Sequence, residues 1–242
     1  MKNFSYITYL SPRDFRIRRQ RCPLCNFSLL IRLKRKEHGI RCLKCRATPV
    51  HMSIASVFNK QYKKAAKLDV FEMSSRGALV KMFKFRRGVN LTTSEFIEDL
   101  NLGISYGGIR NENVESLTFS SDSFDLCTST EVFEHVVNDS LGFREMVRVL
   151  RPGGRTIFTV PLSGSDKTIE RASMVENAVI HHEPPEYHND QLRGYKKVLA
   201  FRTYGNDIVE KLMDAGFTNA YLDDSYSSAF LGFGRSVVVA EK

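Results

Sequence analysis

The sequence predicts an α/β fold, a mainly parallel sheet covered on both faces, preceded by a small zinc ribbon. Three observations carry this expectation. Beyond about residue 65, short apolar runs of strand character alternate with amphipathic stretches, the pattern of parallel strands joined by crossover helices. Upstream, Cys22-Pro-Leu-Cys25 and Cys42-Leu-Lys-Cys45 form two C-x2-C pairs separated by sixteen residues. The 242 residues, 42% hydrophobic and 26% charged, suffice for one sizeable core plus a small appendage, far from collagen-like or disordered compositions. The expected division is a basic zinc-ribbon segment over 1–60 and the α/β domain over 61–242.

In the first segment each cysteine pair fits a tight turn that places both thiols on one side of a tetrahedral ion. Cys22, Cys25, Cys42 and Cys45 are therefore the expected structural zinc ligands, and the 27–33 run is the strand that links the two turns. Two disulfides or four free thiols are the alternatives, disfavoured in a chain that shows no export signal. A zinc ion would act as a staple, because about 45 residues bury too little apolar surface to fold unaided. Cys127 stands apart in an apolar run and reads as a small buried hydrophobe.

Charge is unevenly placed. Between Lys2 and Lys64 sixteen Lys/Arg face only Asp14 and Glu37, a balance of +14 within a chain of net +9, which leaves the rest near −5. A basic head on a mildly acidic body points to an anionic partner, RNA among them, with Arg32, Lys34, Arg35, Lys36, Arg41, Lys44 and Arg46 as phosphate contacts, or to a plain solvated face. No run approaches eighteen apolar residues, and arginines occupy the first twenty positions, so a soluble, cytoplasmic chain is expected.

The elements follow in order. A helix is expected over 52–67, strands over 68–73 and 89–93 with a helix at 77–85 between them, and a strand over 124–129. The 138–150 stretch reads as an amphipathic helix whose Met146, Val147, Val149 and Leu150 cover the sheet. Pro152, Gly153 and Gly154 stop it and turn the chain into a strand at 155–160. A helix at 205–215, an edge strand and a final strand at 237–240 complete the pattern.

Two segments carry a resemblance. Leu117-Thr-Phe-Ser-Ser-Asp-Ser-Phe-Asp125, continuing through Glu131-Val-Phe-Glu134-His135-Val136, is similar to the turn, fourth strand and following helix of class I S-adenosylmethionine-dependent methyltransferases of the type 11 group. Phe143-Arg-Glu-Met-Val-Arg-Val-Leu-Arg-Pro-Gly-Gly154 is similar to that family's helix ending before its fifth strand. The resemblance covers roughly residues 65–242 and implies a Rossmann-like methyltransferase fold with a mainly parallel seven-stranded sheet. In the first loop, Glu72-Met73-Ser74-Ser75-Arg76-Gly77, one glycine stands where the family has three.

By that resemblance S-adenosylmethionine is the cofactor. Glu72, Met73, Ser74 and Gly77 would meet its methionine part, Glu95 its ribose hydroxyls, Asn113 and Val114 its adenine, and Ser129 and Thr130 would floor the sulfonium. Ser94-Glu95 also reads as a helix-start pair. For proton removal from an acceptor the candidates are His135, after the fourth strand, and His188, in the polar Glu186-Tyr-His-Asn-Asp190 insert; a hydrogen-bonded structural histidine is the plain alternative for each. The expected function is methyl transfer to a small-molecule or glycan hydroxyl. Ribosomal RNA guanine methylation is the runner-up, and a zinc-ribbon nucleic-acid-binding protein with an inactive methyltransferase-like domain is the third reading. The residues give no oligomeric state.

Overall fold

The computed structural model describes residues 13–35, 39–62, 67–176, 178–190 and 196–242; Lys36, one of the expected phosphate contacts, lies outside them. The first unit is an antiparallel sheet of β1 (Arg16–Arg19), β2 (Leu29–Arg32) and β3 (Ile40–Cys42), in that spatial order. The run expected to link the two cysteine turns is thus its central strand. Both turns have one design. Asn26 donates its N–H to the Cys22 carbonyl and Arg46 to that of Cys42, each at 2.9 Å. Both residues are left-handed, with φ 59° and 62°. That conformation folds the backbone back under the thiols.

α1 (Pro49–Gln61) begins with proline in its first turn, where a missing N–H costs nothing. It does more than connect. Its Ile54, Ala55, Val57 and Phe58 are buried against the large sheet, so its packing joins it to the α/β layer although its residues precede position 61.

That layer continues through β4 (Leu68–Glu72), α2 (Ala78–Phe85), β5 (Val89–Glu95), β6 (Ser105–Tyr106), β7 (Ile109–Asn111), β8 (Phe124–Thr130), α3 (Asp139–Val149) and β9 (Leu150–Thr159). An insert of short strands follows: β10 (Ile169–Glu170), β11 (Ala172–Val175), β12 (Ala178–His181), β13 (Tyr187–Asp190), β14 (Lys196–Leu199) and β15 (Arg202–Thr203). The chain closes with α4 (Ile208–Ala215), β16 (Asn219–Asp223), α5 (Ala229–Gly232) and β17 (Val237–Glu241).

The large sheet has the order β16-β17-β9-β8-β4-β5-β7-β6. The contacts from β7 through β9 are parallel; β17 runs antiparallel to β9, and β6 to β7. Seven of these eight strands are the Rossmann-like set expected. The eighth, β6, is a two-residue edge strand turned back through Gly107 and Gly108, both at positive φ, as a two-residue hairpin turn requires. Within β9 the pairing jumps from Phe124↔Leu150 to Leu126↔Arg155, so the Pro-Gly-Gly segment bulges out where the turn was expected.

The central strands are buried almost continuously, successive residues turning to opposite faces, as a sheet covered on both faces requires. Phe71, Cys127, Phe158 and Val238 face α3 and α4, while Val70, Leu126, Ile157 and Val237 face α1 and α2. Cys127 is fully buried, the small hydrophobe expected, and burial pushes its thiol pKa up. The cysteine unit docks on the second face: Cys22, Leu30, Ile40 and Cys42 share a cluster with Met52 of α1, Ala78 of α2 and Phe230 of α5. No helix of the described residues is long and apolar enough to cross a membrane.

Candidate active site

Strand order reverses beside β4, with β5 on one side and β8 on the other. In open α/β sheets the crevice beyond the carboxyl ends at such a point is where ligands bind. Here Glu72 ends β4 and Thr130 ends β8. Together with His51, Ser74, Arg76 and Leu79 they line a cavity of about 150 Å³.

Glu72 is almost fully buried and accepts a hydrogen bond from the Thr128 hydroxyl. Burial, opposed by that bond and reinforced by nearby Glu95, pushes its pKa up to about 8. The loop after it is tied to the neighbouring strand. Glu95 Oε1 accepts the Ser75 N–H at 2.6 Å and the Ser74 hydroxyl at 3.4 Å. Met73 offers backbone, its N–H bonded to the Thr128 carbonyl while its side chain joins the core. Gly77, at φ 118°, turns the chain into α2.

His51 was not expected here. Its Nδ1 accepts the Thr48 N–H (3.4 Å) and lies 2.7 Å from the Thr48 hydroxyl, a helix cap. Burial lowers its pKa to about 4, so the ring is neutral and Nε2 carries a proton toward the Gly77 turn. A histidine three residues after Thr48 is the sequence signal; it stands just before the helix expected over 52–67. Arg76 and Leu79 are the other unforeseen lining residues; Arg76 follows the paired serines directly, and Leu79 lies in α2.

The other expected cofactor contacts divide. Thr130 lines the cavity, and Ser129 is buried beside it in sequence with a hydroxyl that has no hydrogen-bond partner among the described residues. Asn113 and Val114 lie after β7, away from the cavity lining. Asn113 Oδ1 accepts the Glu115 N–H at 3.0 Å in a local turn, and Val114 packs against the core.

The two candidate histidines, 53 positions apart, are brought together: His188 Nδ1 lies 3.1 Å from His135 Nε2, the rings edge to face. His135 stands in the 3₁₀ turn Phe133–His135, just past β8, and His188 on β13 of the insert. Five bonds fix this meeting. His135 Nδ1 donates to the Leu199 carbonyl (2.8 Å), Phe201 N–H to the Glu134 carbonyl (2.7 Å), and the buried Arg202 guanidinium to the carbonyls of Phe133, Val136 and Val137. Glu134, fully buried between them, is the residue the sequence reading passed over.

The four cysteines converge as their spacing implied. Cys22 and Cys45 Sγ are 3.6 Å apart, Cys25 and Cys42 Sγ 3.5 Å, and all four lie within 4.8 Å of one another. Disulfide sulfurs would be about 2.05 Å apart, whereas thiolates at about 2.3 Å from a tetrahedral zinc are separated by distances like these. The donor set fits zinc.

Residues 82–158 match the family described as methyltransferase domain. The matched stretch, about a third of the chain, is similar to a methyltransferase domain. The matched stretch holds Glu95, Asn113, Val114, Ser129, Thr130 and His135, while the Glu72 loop precedes it and His188 follows. The ubiquinone/menaquinone biosynthesis C-methyltransferase UbiE of Geotalea daltonii is 45% identical over 56 residues, 22% of this chain and 24% of that protein. The chain thus matches about a quarter of that relative's length. Similar solved structures include an S-adenosylmethionine-dependent methyltransferase from Mesorhizobium loti, at 16% identity and TM-score 0.49, covering 78% of this chain and 98% of that one. Another is the Burkholderia thailandensis 1,6-didemethyltoxoflavin-N1-methyltransferase, at 14% identity and TM-score 0.47, covering 80% and 78%. The fold of the chain rests on its own strand order.

Proposed function

We propose that the chain transfers a methyl group from S-adenosylmethionine to a hydroxyl of a small molecule or glycan. The observation that carries this reading is the imidazole pair held at 3.1 Å beyond the carboxyl end of β8, between the methyltransferase core and a polar insert. Methyl transfer asks a protein to align an acceptor with the sulfonium carbon and to see the acceptor proton removed. His135 and His188 stand where that proton would leave.

Glu72 is the carboxyl for the cofactor's ammonium, and the backbone of 73–77 approaches its methionine part. Glu95, already holding the Ser75 N–H, takes the ribose hydroxyls; Asn113 and Val114 border the adenine, and Ser129 and Thr130 lie under the sulfonium. The four cysteines hold a structural zinc, and the cysteine unit docked on α1 and α2 supports the face behind the cavity. Calorimetric titration with S-adenosylmethionine should give saturable binding that weakens at least tenfold in Glu95→Ala. Absence of binding at millimolar cofactor would sink the enzyme reading in favour of an inactive, nucleic-acid-binding protein.

Ribosomal RNA guanine methylation is the second reading, favoured by one feature. All four residues of β1 are exposed, and Arg16, Arg18 and Arg19 are three of them. Labelled cofactor offered with ribosomal RNA and with glycan or nucleotide-sugar pools separates the two acceptors.

A further inference from the structure

Glu134 presents a physical problem. Its carboxylate is fully buried, and neither oxygen has a hydrogen-bond partner among the described residues. An ionised carboxylate taken out of water without donors is costly unless a positive charge compensates it. The nearest candidates are two imidazoles. Glu134 Oε1 lies 3.7 Å from His135 Nε2 and 3.7 Å from His188 Nδ1, too far for hydrogen bonds, while the two nitrogens are 3.1 Å apart.

Those three atoms form a triangle whose corners all lie about 2.0 Å from its centre, the length of a bond from a divalent cation to nitrogen or carboxylate oxygen. Their surroundings suit ligation. His135 gives its Nδ1 proton to the Leu199 carbonyl, which leaves the Nε2 lone pair aimed at the centre. His188 Nε2 faces Glu186 Oε1 at 3.4 Å, so a carboxylate stands ready behind this ring to take its proton when Nδ1 is engaged.

We propose that Glu134, His135 and His188 bind one divalent first-row cation, distinct from the ribbon's zinc, and that its open positions receive the acceptor hydroxyl. The role given to the ion rests on the methyl-transfer reading; its binding does not. With the ion in place neither imidazole is a free base, and the pair acts by holding the cation. A hydroxyl bound through oxygen is made more acidic and yields its proton to solvent water. The oxygen then forms a bond to the sulfonium methyl carbon as the bond from that carbon to sulfur breaks, with both bonding electrons leaving on sulfur. The products are the methyl ether, S-adenosylhomocysteine and one proton.

The test uses the full chain already loaded with zinc on its cysteines. Mn2+ is the probe, because thiolates select softer metals while carboxylate and imidazole accept it. Calorimetry together with paramagnetic resonance of free Mn2+ should count one ion per chain, and nitrogen couplings should report imidazole ligation. Glu134→Gln and His188→Ala should each weaken binding at least tenfold; the half-exposed His188 can be replaced without disturbing the core, which thermal unfolding checks. No binding of Mn2+, Co2+ or Zn2+ beyond the ribbon's equivalent would overturn the proposal. So would equal affinity in both variants. Mn2+ binding without any S-adenosylmethionine binding would support the site and reject the methyl-transfer reading, while cofactor binding without a second metal would do the reverse.

Discussion

Cys22, Cys25, Cys42 and Cys45 are drawn from two tight turns whose outer cysteines are 23 positions apart, whereas Glu134, His135 and His188 come from a 3₁₀ turn and a strand 53 positions later. The cysteine cluster is also its own core. Cys22 and Cys42 are fully buried beside Leu30 and Ile40, with little else in the small sheet to bury. The histidine cluster has no such duty: Arg202, Leu199 and Phe201 hold it in place through bonds to backbone. The difference teaches which way dependence runs. The proposed zinc would be what lets the ribbon fold, while the second cluster depends on the fold to bring its side chains together.

Removing a ribbon ligand should produce the largest effect. Structural zinc contributes about 10–16 kcal/mol in small thiolate domains. Cys42→Ser should lower bound zinc from one equivalent to none by elemental analysis and open residues 13–47 to protease. Metal-free protein whose segment still resists cleavage would break the comparison.

The next effect belongs to the preorganised cluster. Arg202 is buried and pairs with Asp139 and Glu170 while serving three carbonyls of the 133–137 turn. Breaking a buried pair from one side costs about 3–5 kcal/mol, and lysine cannot reproduce the planar fork. Arg202→Lys should therefore lower thermal stability and turnover together, with zinc content unchanged. Full turnover in this variant would show that the turn holds itself.

A third, smaller effect is a dependence on pH. Glu72 in the folded chain keeps its proton up to about 8, while the unfolded carboxyl loses it near its ordinary 4.5. The folded state thus binds more protons across that window, and stability falls as pH rises through it, then levels off. Unfolding measured at pH 5, 7 and 9 should show this decline, and Glu72→Gln should flatten it. A cofactor ammonium beside Glu72 would also expel its proton, so binding at pH 7 should release protons, seen as a buffer-dependent calorimetric heat.

The smallest effect is expected on the exposed strand. Replacing Arg16, Arg18 and Arg19 by glutamine should leave turnover of a small hydroxyl acceptor within about twofold. On an RNA acceptor each lost phosphate contact would instead remove about 0.9 from the log-log salt slope of duplex binding.

Much of the architecture was legible because it is written in local periodicities. The alternation in Val70-Phe71, Leu126-Cys127 and Val237-Val238 sets opposite faces of each strand, and the Pro152-Gly153-Gly154 stop is a backbone requirement. The edge hairpin through Gly107 and Gly108 was missed, since two-residue strands have no period to read. Asn113 is assigned by resemblance to the adenine, and its side chain also closes a turn on Glu115, a local contact that a motif does not reveal. Glu134 went unremarked because a glutamate in a short turn is ordinarily solvated, and its burial arises only when the 169–203 insert folds over it.

By itself the sequence determined the fold class and the cysteine site. Each rests on interactions within a strand, a helix or a pair of turns, whose spacing along the chain equals their geometry in space. The tertiary structure alone decided that His51 would reach the Glu72 cavity from a helix read as a connector, that Glu95 would secure the first loop, and that His135 and His188 would enclose a buried carboxylate. Those contacts join elements whose distance is set by how layers pack, and packing distance has no counterpart in the number of residues between them.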